Sequence, residues 1–363
     1  MRIRLPWGGT AALVAFVALS GMAHAADENG IGADATLFYK VTPLTSDGMS
    51  TPHTDPNLVN GWGIVAGPST PWWVSDAGTG MSTLYRGSGA PLPLVVGVPG
   101  APTGIVYNGG PNFVITKGRR HKPALFMFAS LTGSISGWNT LDQMNAVIQI
   151  DNSMRGAVYT GLAIASTPGG DFLYAADFKN GRVDMFDGMF APVPLGASAF
   201  VDPMLPMGFV PFGIQNIGGK IYVAFAKPDP ATGRAQHGPG LGYVSAFDTM
   251  GMFLERVASA GDLNAPWGMT VAPATGFGPA SGQLLVGNFG DGHINGFDAA
   301  APHMPKGALK DKMGAPIVID GLWGIGFGTG FFSGSKKVLY FAAGPDNETH
   351  GLFGSVKMMR SFR

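Results

Sequence analysis

The feature that most restricts this chain is a pattern that returns six times. A bulky or β-branched residue, a glycine and an aliphatic residue recur as Trp62-Gly63-Ile64, Thr103-Gly104-Ile105, Thr160-Gly161-Leu162, Phe212-Gly213-Ile214, Trp267-Gly268-Met269 and Trp323-Gly324-Ile325; the glycines lie 41, 57, 52, 55 and 56 residues apart. Self-similarity at such a period fixes an architecture before any single element is assigned. Each anchor is followed by a β-rich run, at 72–76, 113–116, 172–177, 221–225, 284–288 and 338–342, and then by a third, at 82–85, 133–138, 182–187, 243–248, 293–298 and 351–356. Glycine turns such as Asn180-Gly181 and Gly290-Asp291-Gly292 precede most of the third runs, which is hairpin chemistry. Less regular segments, 93–96 and 254–257 among them, supply a fourth strand. Four antiparallel strands per unit predict an all-β fold, a six-bladed β-propeller forming a single domain over residues 26–363. The 57 glycines then have a cause, because inner strands converge on an axis where only a residue without a side chain lets backbones meet. The sixth unit has three strands before the chain ends. Residues 36–41 (Thr-Leu-Phe-Tyr-Lys-Val) belong to no other unit and are expected to pair outside blade six near 352–357, closing the ring and removing an exposed edge.

Residues 1–25 read as an address. Arg2 and Arg4 open the segment, a short apolar stretch follows at 11–19, and Ala23-His24-Ala25 closes it, the pattern of a secretory signal peptide cleaved after Ala25. The mature chain keeps 21 basic and 23 acidic side chains, a net charge of −2. No later segment offers about 20 apolar residues to span a bilayer. A secreted or periplasmic monomer is expected. The balanced charge gives no footprint for nucleic acid, and the absence of cysteine removes disulfides, thiolate metal sites and a cysteine nucleophile together.

In a propeller of this strand order, the loops leading into the inner strands and the hairpins between second and third strands share a face. That face gathers polar residues. The leading loops carry Asp55, Asn57, Asn60, Asp202, Asp262, Asn264 and Asp320; the second-strand ends carry Asp76, Asp177 and Asn288, with Asp291 shortly beyond. Oxygen donors converging on an axis suit a hard cation such as Ca²⁺, with Asp76, Asp177 and Asn288 as the metal set. The same residues also cap turns through neighbouring backbone, which needs only local geometry. Trp62, Trp267 and Trp323 either line a mouth that stacks on a ring-shaped ligand or pack between blades. His53 and His293 are the histidines nearest the axis as candidate bases, and no histidine pair has zinc spacing. Two segments break the repeat. Residues 227–242 insert a Gly/Pro-rich loop in blade four, of the length of a lid or a mobile surface loop, and Arg119-Arg120-His121-Lys122 reads as a solvated hairpin tip.

The stretches 54–63, 75–80, 156–162, 284–292, 319–324 and 343–354 together resemble a conserved hypothetical family of exported bacterial proteins, some members of which carry PEP-CTERM sorting tails. That resemblance implies export and a propeller fold and brings no reaction with it. A more distant similarity, to NHL-repeat and calcium-dependent lactonase propellers, implies a Glu among axial calcium ligands, whereas Glu28, Glu255 and Glu348 all lie away from the start of an inner strand. Two functions follow as expectations: a propeller that binds a small molecule, glycan or protein on its axial face, and, as the alternative, a Ca²⁺-dependent hydrolase or lactonase.

Overall fold

The computed structural model describes residues 35–362, so the expected signal peptide lies outside the described residues. Six small antiparallel sheets form a ring, a six-bladed β-propeller. Blade one is built from Gly61–Val65, Trp72–Asp76, Met81–Tyr85 and Val96–Gly97, and blade two from Pro102–Tyr107, Phe126–Ser130, Ser134–Trp138 and Val147–Asp151. Blade three holds Tyr159–Thr167, Gly170–Asp177 and Arg182–Asp187; blade four holds Val210–Ile217, Lys220–Ala226, Tyr243–Phe247 and Phe253–Ser259. Blade five is Pro266–Val271, Gln283–Asn288, Ile294–Asp298 and Pro305–Ala308, and blade six is Leu322–Phe327, Leu339–Ala343, Leu352–Phe362 and the N-terminal Ala35–Ser46.

The recurring glycines explain the ring. A Cβ on Gly63 would stand 2.5 Å from the Thr103 carbonyl oxygen of the next blade, one on Gly268 2.5 Å from that of Trp323, and one on Gly161 3.1 Å from that of Phe212. Gly104 and Gly213 press equally on the backbone of Gly161 and Leu162 and of Trp267. Gly324 completes the circle, 2.8 Å by the same measure from the Trp62 oxygen of blade one. Backbone therefore touches backbone around the whole axis. The hollow left between Gly63, Gly104, Gly268 and Gly324 is about 30 Å³, a single water's share of volume.

The expected clasp is present. Ala35–Ser46 runs antiparallel to Leu352–Phe362 from Ala35↔Phe362 to Ser46↔Leu352, with an irregularity between Pro43 and Thr45. Tyr39 reaches inward from this strand, its hydroxyl donating to the Phe277 carbonyl at 2.8 Å and accepting from the Ala280 N–H at 2.9 Å. Burial pushes its phenol up to about 12.

Two local expectations change. The second strand of blade two is Phe126–Ser130, buried along its whole length, and not 113–116. Val114–Lys117 instead pairs with Arg120–Pro123 in a separate two-stranded ribbon. Val114 is exposed there, so this run gives up the mid-blade place to the stretch that buries every side chain. Of the basic residues 119–122 only Arg119 lies in the turn at the tip; Arg120, His121 and Lys122 form the second strand of the ribbon, the first two exposed and Lys122 half-buried. In blade three the fourth position is reduced to one bridge, Phe186↔Pro192, with the Val193 N–H donating to the Met185 carbonyl at 2.8 Å. Pro192 and Pro194 lack the donors that a longer ladder requires.

Candidate functional site

The residue before each anchor glycine sits at one end of the axis, and its chemistry divides the ring. Thr103 and Thr160 donate their hydroxyls across blades, to the Tyr159 carbonyl at 2.7 Å and the Phe212 carbonyl at 2.8 Å. The other four are aromatic. Trp323, 1% exposed, is stacked by Trp62 at 3.7 Å and 21° and by Phe289 at 3.8 Å and 17°. Trp267 meets Trp62 and Trp323 edge-on at 6.4 Å and 5.8 Å, and Phe212 lies 5.7 Å from Trp323. Phe178 and Phe289 follow Asp177 and Asn288 directly, so the second-strand ends deliver two more rings to the cluster.

Above these rings lies a pocket of about 580 Å³, floored by Trp62, Phe178, Phe212, Phe289 and Trp323. Its roof is the insertion of blade four, from Pro228 to Ala235, and its charged rim consists of Lys179, Asp229, Arg234 and Glu348. A smaller hollow of about 370 Å³ adjoins it, sharing Arg234, Phe289 and Glu348 and adding His237, Asp320 and Asn347. The roof is shaped by Asp229, whose Oδ1 accepts from the N–H groups of Ala231 and Thr232, both at 2.9 Å. Arg234 reaches from it to an ion pair with Glu348. Glu348 Oε2 in turn accepts from Asn60 Nδ2 at 2.8 Å, and Asn60 Oδ1 accepts from Trp323 Nε1 at 3.1 Å. One polar chain thus links roof to floor. His237 stands edge-on to Phe289 at 5.0 Å; burial holds its imidazole below the usual range, Arg234 adding to this and Asp291 opposing it.

The sequence candidates divide. Trp62 and Trp323 line the large pocket, Asp320 lines the small one, and Trp267 packs beside the floor and lines the axial hollow, donating Nε1–H to the Thr160 carbonyl at 2.9 Å. The remaining polar candidates serve their own loops. Asp55 accepts from the Asn57 N–H and side chain through Oδ1 and from the Tyr85 hydroxyl at 2.9 Å through Oδ2. Asp177 accepts from the N–H groups of Val158 and Asn180, and Asn288 donates to the Asp262 carbonyl and to Asp291. Asp291 also accepts from the Asn264 side chain and the His293 N–H. Asp76 is wholly buried with neither carboxylate oxygen in a hydrogen bond. Burial pushes its carboxyl well above the usual range, the neighbouring Thr83 opposing this and the Asp55 charge adding to it. Asp76, Asp177 and Asn288 share no hydrogen-bond partner, and no cluster of three or more His, Cys, Asp or Glu able to hold a metal occurs among the described residues. Both Asp76 carboxylate oxygens and Asn288 Oδ1 are buried without a hydrogen-bond partner. His53 and His293 line neither hollow.

Sequence reasoning missed Phe178, Phe212, Phe289, Arg234, His237 and Glu348. The break in the repeat at 227–242 was the available signal for Arg234 and His237.

No family model matches the chain. An uncharacterised protein of Acanthamoeba polyphaga mimivirus is 36% identical over 337 residues, covering 89% of this chain and 86% of its own length; a second from the same virus is 34% identical over 337 residues, covering 89% and 81%. This chain belongs to their family. Solved structures add the fold alone, at 12–13% identity: a Bacteroides thetaiotaomicron protein of unknown function (TM-score 0.54, 89% of this chain and 77% of that one), a glucose dehydrogenase (0.51, 87% and 98%) and virginiamycin B lyase from Staphylococcus aureus (0.50, 89% and 100%). Among the described residues of this propeller family member, no helix is long and apolar enough to cross a membrane.

Proposed function

We propose that the protein is an exported ligand-binding propeller whose axial pocket takes a small molecule with a flat ring, aromatic or pyranose. The observation that carries this is the five-ring floor of the 580 Å³ pocket beneath a roof contributed by the 227–242 insertion of blade four. A hollow of this size with apolar walls and a few placed polar groups is the usual form of a small-molecule site. Trp62, Phe178, Phe212 and Phe289 supply apolar surface against which a ring can lie, with Trp323 held between Trp62 and Phe289 beneath them, and the Arg234–Glu348 pair and Lys179 supply orientation. A calcium-dependent hydrolase is the alternative reading, supported by the unpartnered buried oxygens of Asp76 and Asn288.

The test is intrinsic tryptophan fluorescence of the intact protein, titrated with benzyl alcohol and with methyl β-glucoside. A saturable change with at least one of them is expected. Phe289→Leu, which removes a stacking ring while keeping an apolar side chain, should weaken that response at least ten-fold. A flat response to both probes up to their solubility limits refutes the reading.

A further inference from the structure

We propose that the axial pocket selects ligands whose ring carries an organic cation, an ammonium, amidinium or guanidinium group, and that this cation replaces Arg234 on Glu348. The inference rests on the ring-binding reading above and names its ligand class. It begins from which charge at the site is fixed and which is free. The Glu348 side chain is 11% exposed and is bonded to Asn60, itself buried and bonded to the floor ring of Trp323. The Arg234 side chain is 60% exposed and hangs from the roof.

The backbone is committed to the carboxylate as well. Asp346, Asn347 and Glu348 follow one another at φ values of 54°, 54° and 68°, a left-handed turn in which none of the three is glycine. Asp and Asn tolerate this conformation and Glu does so least, and strain of this kind persists only where the surroundings enforce it. The turn is pinned by the Glu348 N–H donating to the Gly344 carbonyl at 3.1 Å and the Asp346 N–H donating to Asp320 Oδ2 at 2.9 Å. A Cβ at Gly344 would strike the Asn60 side chain, so the close approach that presents Glu348 to Asn60 requires glycine there.

A partly buried carboxylate lining the same pocket as Trp62, Phe178, Phe212 and Phe289 is the chemistry that recognises an organic cation on an apolar ring, which gains from the anion and from the aromatic surroundings together. Arg234 supplies such a cation from the protein's own roof. An ion pair with one partner this exposed stabilises little, so a better-placed cation displaces it readily, while an unpaired Glu348 is the costlier state. Two other charges line the pocket. Asp229 has its Oδ1 consumed by the roof turn, and Lys179 forms no ion pair among the described residues. Lys179 is the group through which an anionic ligand would be held instead, and the experiment separates the two.

Calorimetric titration of the intact protein with benzamidine, benzoate and benzyl alcohol compares a cation, an anion and a neutral group on one ring. Benzamidine is expected to bind at least ten-fold more tightly than benzyl alcohol. Arg234→Ala, on the exposed roof, should tighten benzamidine about three-fold or more by removing its competitor. Glu348→Gln, which keeps the shape and an oxygen for Asn60, should bring benzamidine down to the level of benzyl alcohol, with the melting curve of each variant confirming a folded ring. Equal binding of benzamidine and benzyl alcohol overturns this inference and leaves ring binding standing. A preference for benzoate that disappears in Lys179→Ala or Arg234→Ala also overturns it. Failure of all three probes overturns this inference, and the ring-binding reading falls with it only when methyl β-glucoside also gives no response.

Discussion

Replacing the anchor glycines by alanine tests the packing that closes the ring. At Gly268 the new methyl would lie 2.5 Å from the Trp323 oxygen, and ordinary contact begins at 3.4 Å, so the inner strands of blades five and six must part locally by 0.9 Å. The obstacle is a backbone oxygen, at Trp323 within the irregularity between Leu322 and Ile325 of its strand pair, so no rotamer change relieves it. Overpacking of this kind costs about 1–3 kcal/mol. Against it stands a gain of about 0.4–1 kcal/mol from a less flexible unfolded chain. The net expectation is a loss of roughly 1.3 kcal/mol for Gly268→Ala and Gly63→Ala, which at a urea slope of about 3 kcal/mol/M lowers the unfolding midpoint by about 0.4 M. Gly161→Ala, where the nearest neighbour stands at 3.1 Å, should lose less. Gly196→Ala is the control, since a methyl there meets nothing within 4 Å and its backbone is outside the left-handed region. Urea unfolding followed by tryptophan fluorescence measures all four. Midpoints for Gly268→Ala and Gly63→Ala within roughly 0.2 M of the control, a fraction of the shift expected from overpacking, would refute the close-approach account of the repeat.

Two further outcomes follow from buried polar groups. The folded protein holds the Asp76 proton to higher pH than the unfolded chain, whose value is about 3.9, so this residue's contribution is greatest below that value and falls as pH rises through the folded one. Asp76→Asn cannot ionise and should narrow the stability difference between about pH 4 and pH 7; an unchanged or wider difference in urea midpoints counts against the assignment. Tyr39→Phe removes the hydroxyl that joins the N-terminal strand to Phe277 and Ala280, leaving a buried carbonyl and N–H unpaired, and should cost about 1–3 kcal/mol by chemical denaturation. A cost under about 0.5 kcal/mol would mean that the strand ladder alone holds the clasp.

The ring was legible because close approach of backbones leaves a mark at every blade, the glycine of each anchor, and the clasp was legible because the sixth unit lacked a strand that only residues 36–41 remained to fill. Blade two was misread where two apolar runs competed and burial, invisible in the chain, decided for Phe126–Ser130. The site was harder for a physical reason. Its walls come from several blades, and no spacing along the chain brings Arg234 to Glu348. The polar residues that recur at second-strand ends drew attention by their regularity, yet Asp177 and Asn288 both tie the loop that leads into their own blade, Asp177 by accepting from the Val158 N–H and Asn288 by donating to the Asp262 carbonyl. Recurrence in a repeat protein reports what every unit needs to join its neighbour. A binding site breaks that symmetry, since one ligand meets each blade differently. The residues to weigh for function in such a chain are those that occur once: the loop 227–242, which lays a roof and an arginine over the axis, and the left-handed turn at 346–348, which sets a carboxylate against the floor.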